Sequence, residues 1–192
     1  MQKIRRFADI EFRSAEGETE SRTVAGRAAV FNREQDMGWY TECIDEHAFD
    51  GCDMSETILN FNHDDNIVLA GVKNGSLKLE VNAGGLDPEG DIIDTTQGND
   101  CLKLVRAGLI DKMSFAFTVD EDKWEERDGR DYRRITKIGK LFDVSLVVFP
   151  AYPQTWVGLR KADEADDLVK RHLKWKEQEK KMEELLNGKN IK

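Results

Sequence analysis

The segment Leu109–Val119, LIDKMSFAFTV, decides the fold, because its residues alternate between large apolar and small side chains. Alternation with a period of two is typical of a β-strand, whose successive side chains point to opposite faces of the sheet. The large side chains belong to Met113, Phe115, Phe117 and Val119, and the small ones to Ser114, Ala116 and Thr118. We expect the large residues to face the core. The small neighbours of Ser114 should then leave room above its hydroxyl, where a substrate could approach.

Turn signals elsewhere in the chain predict a mostly antiparallel sheet. Asn74-Gly75 separates two alternating runs, and Asp128-Gly129 marks the tip of a charged arm that follows the first segment. Both dipeptides favour tight hairpins, because their residues tolerate positive φ. The segment Leu141–Phe149 is the most apolar strand of the chain and is predicted to be central, closed by the prolines that follow it.

One helix is predicted immediately before the segment of Ser114. Gly98 or Asn99 is expected to begin it, with Asn99 or Asp100 as the cap. Gly108 is expected to end it. The residue patterns therefore predict a β-rich α+β fold in which a packed helix fixes the position of the serine strand.

Length and composition limit the classes of protein to which the chain can belong. Its 192 residues suffice for one domain with a core and a tail, and its net charge of −9 argues against a nucleic-acid binder, which needs a basic face. No apolar segment is long enough to cross a bilayer, and the basic start of the chain lacks the apolar run of a secretory signal. We expect no nucleic-acid and no membrane partner.

The cysteines Cys43, Cys52 and Cys101 are interpreted as free thiols of a reducing cytoplasm. They form no CxxC pair, and no cluster with zinc-ligand spacing accompanies them. A cysteine nucleophile is the functional alternative, although none of the three lies in a segment that resembles a catalytic motif. We therefore expect neither a metal nor a cofactor.

Two further segments carry residues that hydrolytic chemistry uses. ILNFNHDD, residues 58–65, is an apolar run that reaches His63, and LFDVSLVVFP, residues 141–150, embeds the carboxylate of Asp143 in an apolar strand. A serine, a histidine and an aspartate on three separate segments can form a triad, because the triad is defined by spatial roles and not by sequence order. Alternative carboxylates are Asp64, Asp65 and Asp111. His47 has acidic neighbours and is interpreted as a surface histidine.

The ordered segments LNFNHD, GLIDKMSFAFTV and LFDVSLVVFPAYP resemble the prohead maturation protease family of tailed phages, which processes capsids of the HK97 type. Three further segments agree with this resemblance: VAGRAAVFN near the start, GSLKLEVNAGGL after the histidine, and CLKLVRAGLIDKMSF before the serine. The resemblance covers roughly residues 23–153, and it is the ordered set of motifs that makes it specific.

The resemblance implies a relationship to the herpesvirus assembly proteases, and hence a compact, mostly antiparallel β-barrel with surrounding helices. It also implies a serine endopeptidase in which Ser114 attacks the scissile carbonyl, His63 is the general base and Asp143 orients His63. The herpesvirus enzymes use a second histidine in the place of this carboxylate. The oxyanion donors stay unassigned.

The resemblance further implies the partners and the location of the enzyme. The expected substrates are the scaffold segment of the major capsid protein, or a separate scaffold protein, and then the protease itself. The expected location is the host cytoplasm, inside the assembling prohead, and self-association is left open.

The chain is expected to divide into a protease β-barrel domain, residues 1–160, and a charged tail, residues 161–192. Apolar residues of the tail recur near helical spacing: Leu168, His172, Trp175, Met182 and Leu186. This spacing predicts a C-terminal amphipathic helix, which either docks to the capsid or scaffold or lies solvated against the barrel.

Two other functions are consistent with part of the sequence. The first is a catalytically inactive capsid-assembly or scaffold module of the same fold. The second is an unrelated acyl hydrolase, but the chain has no G-x-S-x-G elbow, and Ser114 begins a strand instead of joining a strand to a helix.

Overall fold

The computed structural model describes residues 4–7, 21–148 and 156–159, and these contain twelve strands and one helix. The strands are β1 (Ile4–Phe7), β2 (Thr23–Arg27), β3 (Ala29–Val30), β4 (Gln35–Asp36), β5 (Tyr40–Ile44), β6 (Ile58–Phe61), β7 (Asp64–Gly71), β8 (Leu77–Asn82), β9 (Gly85–Asp91), β10 (Lys112–Arg127), β11 (Arg130–Val147) and β12 (Trp156–Leu159). The helix α1 is Thr96–Arg106. The β-rich α+β class is confirmed, and the tail with its predicted helix lies outside the described residues.

The first sheet is built on the long hairpin of β10 and β11. Its order is β1-β10-β11-β5-β4, and the second half of β11 also pairs with β6, which pairs in turn with β7. The pairs β11–β5 and β11–β6 are parallel, and the other pairs of this sheet are antiparallel. The predicted apolar strand after Leu141 is therefore central, because it lies between β10 and β6.

The second sheet is antiparallel throughout, with the order β12-β2-β9-β3 and with β8 on the other side of β9. Neither sheet closes on itself within the described residues, so the expected barrel is not confirmed. Strands of both sheets and α1 contribute to a single apolar core, which includes Leu59, Leu86, Leu102, Phe115 and Phe117. No helix of the described part of the chain is long and apolar enough to span a bilayer.

The predicted hairpin at Asn74-Gly75 is wrong, although the turn itself is present. Gly75 has φ +76°, but β7 pairs with β6 in the first sheet, whereas β8 pairs with β9 in the second. Ser76 and Asn74 close this connection through side-chain hydrogen bonds, so the turn passes the chain from one sheet to the other. The tip at Asp128-Gly129 is confirmed, because Arg127 pairs with Arg130 across it.

The N-cap of the helix lies four or five residues before Asn99 and Asp100, the residues predicted to cap it. Thr95 is its N-cap: the residue is extended, and its Oγ1 accepts a hydrogen bond of 3.0 Å from the N–H of Gly98. Asn99, one of the predicted caps, lies inside the helix and donates from its side chain to Asp94. The predicted end is confirmed, because Gly108 follows the C-cap with φ 68°.

Candidate active site

Ser114 lies near the start of β10, between two neighbouring strands. Its backbone is opposite Ser145 of β11 on one side and Phe7 of β1 on the other. The residue has no solvent-exposed surface, and Ala116 on the same face is equally buried. The expected open space above the hydroxyl is therefore absent: both faces of this sheet are covered, and the imidazole of His63 contacts the hydroxyl directly.

His63 lies in the two-residue loop that connects β6 to β7. Phe61 pairs with Asp64 across this loop, and both loop residues have positive φ, 51° for Asn62 and 58° for His63. Positive φ at both positions is what a type I′ hairpin turn requires, and the second position usually carries glycine. A side chain with a Cβ is less stable in this conformation by about 1–2 kcal/mol. His63 therefore occupies a backbone conformation that would favour glycine.

Three hydrogen bonds attach this loop to β11 and to Val148, the residue that follows it. The N–H of Asn62 donates to the carbonyl of Leu146 at 2.9 Å, and the side-chain oxygen of Asn62 accepts from the N–H of Val148 at 3.3 Å. The N–H of His63 donates to the hydroxyl oxygen of Ser145 at 2.9 Å. The loop is thus fixed to the same strand that carries Asp143.

Asp143 lies in β11, opposite Ala116 of β10 and Ile58 of β6, and it is fully buried. Its Oδ1 is 2.6 Å from Nδ1 of His63. A buried carboxylate is costly unless it is paired and hydrogen-bonded, and the imidazole provides that partner.

The hydrogen bonds of the imidazole specify one tautomer. Because ionised Asp143 can only accept, Nδ1 of His63 carries the proton. Nε2 is then an acceptor, and it lies 2.5 Å from the hydroxyl oxygen of Ser114. The three side chains form one hydrogen-bonded chain in which Ser114 donates to His63 and His63 donates to Asp143. Such a chain can take a proton from a serine as the serine attacks a carbonyl.

The alternative carboxylates have other partners. Asp111 forms an ion pair with Lys112 at 2.8 Å, and Asp65 lies 3.5 Å from the side-chain amide of Asn60. Asp64 accepts from the backbone N–H of Asn66, which lowers the pKa of its carboxyl group. The structure thus brings Asp143 to His63, and it engages the other three carboxylates elsewhere.

The other histidine and cysteine candidates are not part of the hydrogen-bonded series of Ser114, His63 and Asp143. His47 is exposed and contacts Asp50, as expected for a surface histidine. Cys43, Cys52 and Cys101 are free thiols. Burial raises the pKa of Cys52 and Cys101 to about 11, which keeps both thiols protonated at neutral pH and disfavours them as nucleophiles. Among the described residues, no group of histidines, cysteines and carboxylates could hold a metal ion.

Two polar residues beside the hydrogen-bonded side chains of the site were not identified from the sequence. Ser145 and Asn60 are fully buried and lie in one row with Ser114 across β11, β6 and β10. Within the described part of the chain, the side-chain oxygen of Asn60 has no hydrogen-bond partner, an arrangement that costs about 1–3 kcal/mol. The available signal was their polarity inside apolar strands, at positions that share a face with Ser114 and Asp143.

The family model described as caudovirus prohead serine protease matches residues 8–168, which is most of the chain. The matched range contains Ser114, His63 and Asp143 and extends beyond the motifs discussed above on both sides. No curated protein and no solved structure is significantly similar to the chain.

Proposed function

Since the chain belongs to the caudovirus prohead serine protease family, we propose that Ser114, His63 and Asp143 are its catalytic triad. The observation that carries this assignment is the hydrogen-bonded chain of these three buried side chains, at 2.5 Å and 2.6 Å. The family is one of serine peptidases, and Ser114 is the serine whose hydroxyl contacts a histidine that is itself held by a carboxylate.

The reaction proceeds through a covalent intermediate. The Oγ of Ser114 attacks the scissile carbonyl carbon while Nε2 of His63 takes the hydroxyl proton, which gives a tetrahedral intermediate and an imidazolium. Asp143 stabilises that imidazolium through Nδ1. The C–N bond then breaks, His63 gives its proton to the leaving amine, and Ser114 is left as an acyl ester. A water molecule, deprotonated by His63, hydrolyses the ester and restores the hydroxyl of Ser114.

Full burial of Ser114 has a consequence for substrate access. A scissile carbonyl must reach the hydroxyl oxygen, which has no exposed surface in the described conformation. Substrate binding is therefore accompanied by displacement of covering residues. The loop of His63 is held to β11 and Val148 by three hydrogen bonds, so we expect the movement elsewhere around Ser114.

We propose that the substrates are the scaffold segment of the major capsid protein, or a separate scaffold protein, and then the protease itself. The family description supports a prohead substrate and a reaction inside the assembling shell in the host cell. Cleavage of one copy by another would require two copies to meet. The excess of acidic residues, which gives a net charge of −9, disfavours binding to nucleic acid.

Co-expression with the capsid protein tests this function. Ser114→Ala should abolish processing, since loss of a triad nucleophile costs on the order of 10⁶ in turnover. Band sizes on a gel are the measurement, and Ser55→Ala, an exposed serine outside the site, is the control. Normal processing by Ser114→Ala would contradict the assignment, and absence of processing by the wild type would favour the inactive scaffold module.

A further inference from the structure

Ser145 is fully buried in β11, two residues after Asp143 and directly opposite Ser114 in β10. Its hydroxyl oxygen accepts the hydrogen bond from the N–H of His63 at 2.9 Å. We propose that Ser145 is a positioning residue, which holds the backbone of His63 so that the imidazole reaches both Ser114 and Asp143. The inference rests on the proposed function and adds a fourth residue to its machinery.

The hydroxyl of Ser145 links the two ends of the bend that carries His63. It lies 3.3 Å from the carbonyl oxygen of Asn60 and 3.4 Å from that of Leu146, and with one proton it donates to one of them at a time. When it donates to Asn60, it bridges that carbonyl to the N–H of His63, three residues along the chain. The β-turn of this loop runs from Phe61 to Asp64, so this carbonyl and this N–H are not the pair that the turn itself would join. Here a hydroxyl from the neighbouring strand makes the connection.

The loop needs such a connection because its backbone is strained. Asn62 and His63 both have positive φ, and strained residues persist only where the surrounding structure over-determines them. Without Ser145 the N–H of His63 would lose this hydrogen bond, and a hydrogen bond of this kind contributes about 0.5–1.5 kcal/mol. Ser145 therefore opposes relaxation of the loop toward a backbone conformation that would move the imidazole.

The position of Ser145 also explains why the alignment is accurate. Ser145 and Asp143 lie on the same face of one strand, so the backbone and the side chain of His63 are both held by β11. The neighbouring strand β10 brings Ser114 to the same row. Because catalytic geometry tolerates only small displacements, with a shift of 1 Å costing up to about 10²-fold, a backbone anchor affects the rate without touching the substrate.

The test compares Ser145→Ala with variants that separate positioning from stability. Ser145→Thr keeps the hydroxyl. Thr57→Val removes a hydroxyl that is equally buried and donates to the carbonyl of Leu141 at 3.0 Å, away from His63. The readout is the rate of covalent labelling by a small fluorophosphonate, at a temperature at which circular dichroism shows every variant to be folded.

We expect Ser145→Ala to label on the order of 10–100-fold more slowly than the wild type. Ser145→Thr should recover most of the rate, and Thr57→Val should keep it despite a comparable loss of stability. In the proton NMR spectrum, the downfield resonance of the Nδ1 proton of His63 should broaden or shift in Ser145→Ala and stay in place in Thr57→Val. This resonance reports the contact between His63 and Asp143, which a purely structural role of Ser145 would not change.

The possible failures have distinct meanings. A wild type that does not label, or labelling that survives in Ser114→Ala, contradicts the proposed function. A wild type that labels normally, with Ser145→Ala at the same rate or Thr57→Val slowed as much, overturns the role of Ser145 alone. Should Ser145→Ala not fold, Ser145→Cys replaces it in the comparison, since the thiol keeps a similar volume and is a weaker acceptor. Wild-type labelling by folded Ser145→Cys would then overturn the inference.

Discussion

At the scale of single residues, His63 has a backbone conformation that is unfavourable for a residue with a side chain, and this conformation places its imidazole in the site. The imidazole must lie between Ser114 and Asp143, and the structure achieves this with a non-glycine residue at φ 58°. Local strain of this kind is typical of functional sites, because geometry there is selected for chemistry and not for stability. The destabilisation arises from the Cβ atom, so it can be measured by comparing variants with and without that atom.

His63→Gly and His63→Ala provide that measurement. Both variants remove the imidazole and should be inactive, but only alanine keeps the Cβ atom that disfavours positive φ. After allowance for the greater freedom of glycine in the unfolded chain, we expect His63→Gly to have a free energy of unfolding about 1 kcal/mol above that of His63→Ala. Urea unfolding of the two proteins is the measurement, and equal stabilities, or a more stable alanine variant, would show that the loop is not strained.

The residues of the site differ in how far they could be predicted. Ser114, His63 and Asp143 stood out as a set, because a serine, a histidine and an aspartate on three separate segments can form a triad and these segments together resemble one protease family. Ser145 is also a polar residue inside an apolar strand, but this alone did not indicate a role, because a serine in a strand usually has no functional role. Its partner is a backbone N–H, which the sequence does not distinguish from any other.

At the scale of elements, local patterns predicted turns and strands better than they predicted pairing. Asn74-Gly75 forms a turn as expected, yet its flanking strands belong to different sheets. A dipeptide determines the local φ angles, whereas the partner of a strand depends on contacts distant in sequence. The loop of Asn62 and His63 was the opposite case: it is a tight hairpin, but it lacks the glycine that would have marked it.

The burial of Ser114 likewise depends on elements distant in sequence. Alternation along β10 correctly placed Phe115 and Phe117 in the core. It could not show that the opposite face is also covered, because that depends on the loop of His63 and on the neighbouring strands. A pattern of large and small residues thus distinguishes the two faces of a strand, but it does not show whether the second face meets solvent.

At the scale of the whole molecule, the family match ends at residue 168, within the charged tail that follows residue 160. We propose that the tail directs the enzyme to the assembling shell and is dispensable for chemistry, since the described core and site lie before it. The apolar residues of the tail are few, but Leu168, Trp175 and Leu186 could anchor a partner helix.

Two deletions test whether the tail is needed for targeting and not for chemistry. Removal of residues 162–192 should leave a folded protein that still reacts with the fluorophosphonate, whereas proheads assembled with it should lack protease and fail to mature. Removal of residues 169–192 keeps the whole family match and is the matched control for damage to the domain. An insoluble product from both deletions would show that the tail belongs to the core, and normal packaging of both would place the targeting surface elsewhere.

The central claim is that Asp143 and His63 activate Ser114, and the most direct measurement is the site and rate of fluorophosphonate labelling. Wild type, Asp143→Asn and Asp111→Asn are compared, and each adduct is located by mass spectrometry of peptides. The account predicts one adduct, on Ser114, formed at the wild-type rate in Asp111→Asn and about 10⁴-fold more slowly in Asp143→Asn, where the tautomer is wrong. An adduct on another residue, or wild-type labelling by Asp143→Asn while Asp111→Asn is slow, would contradict it.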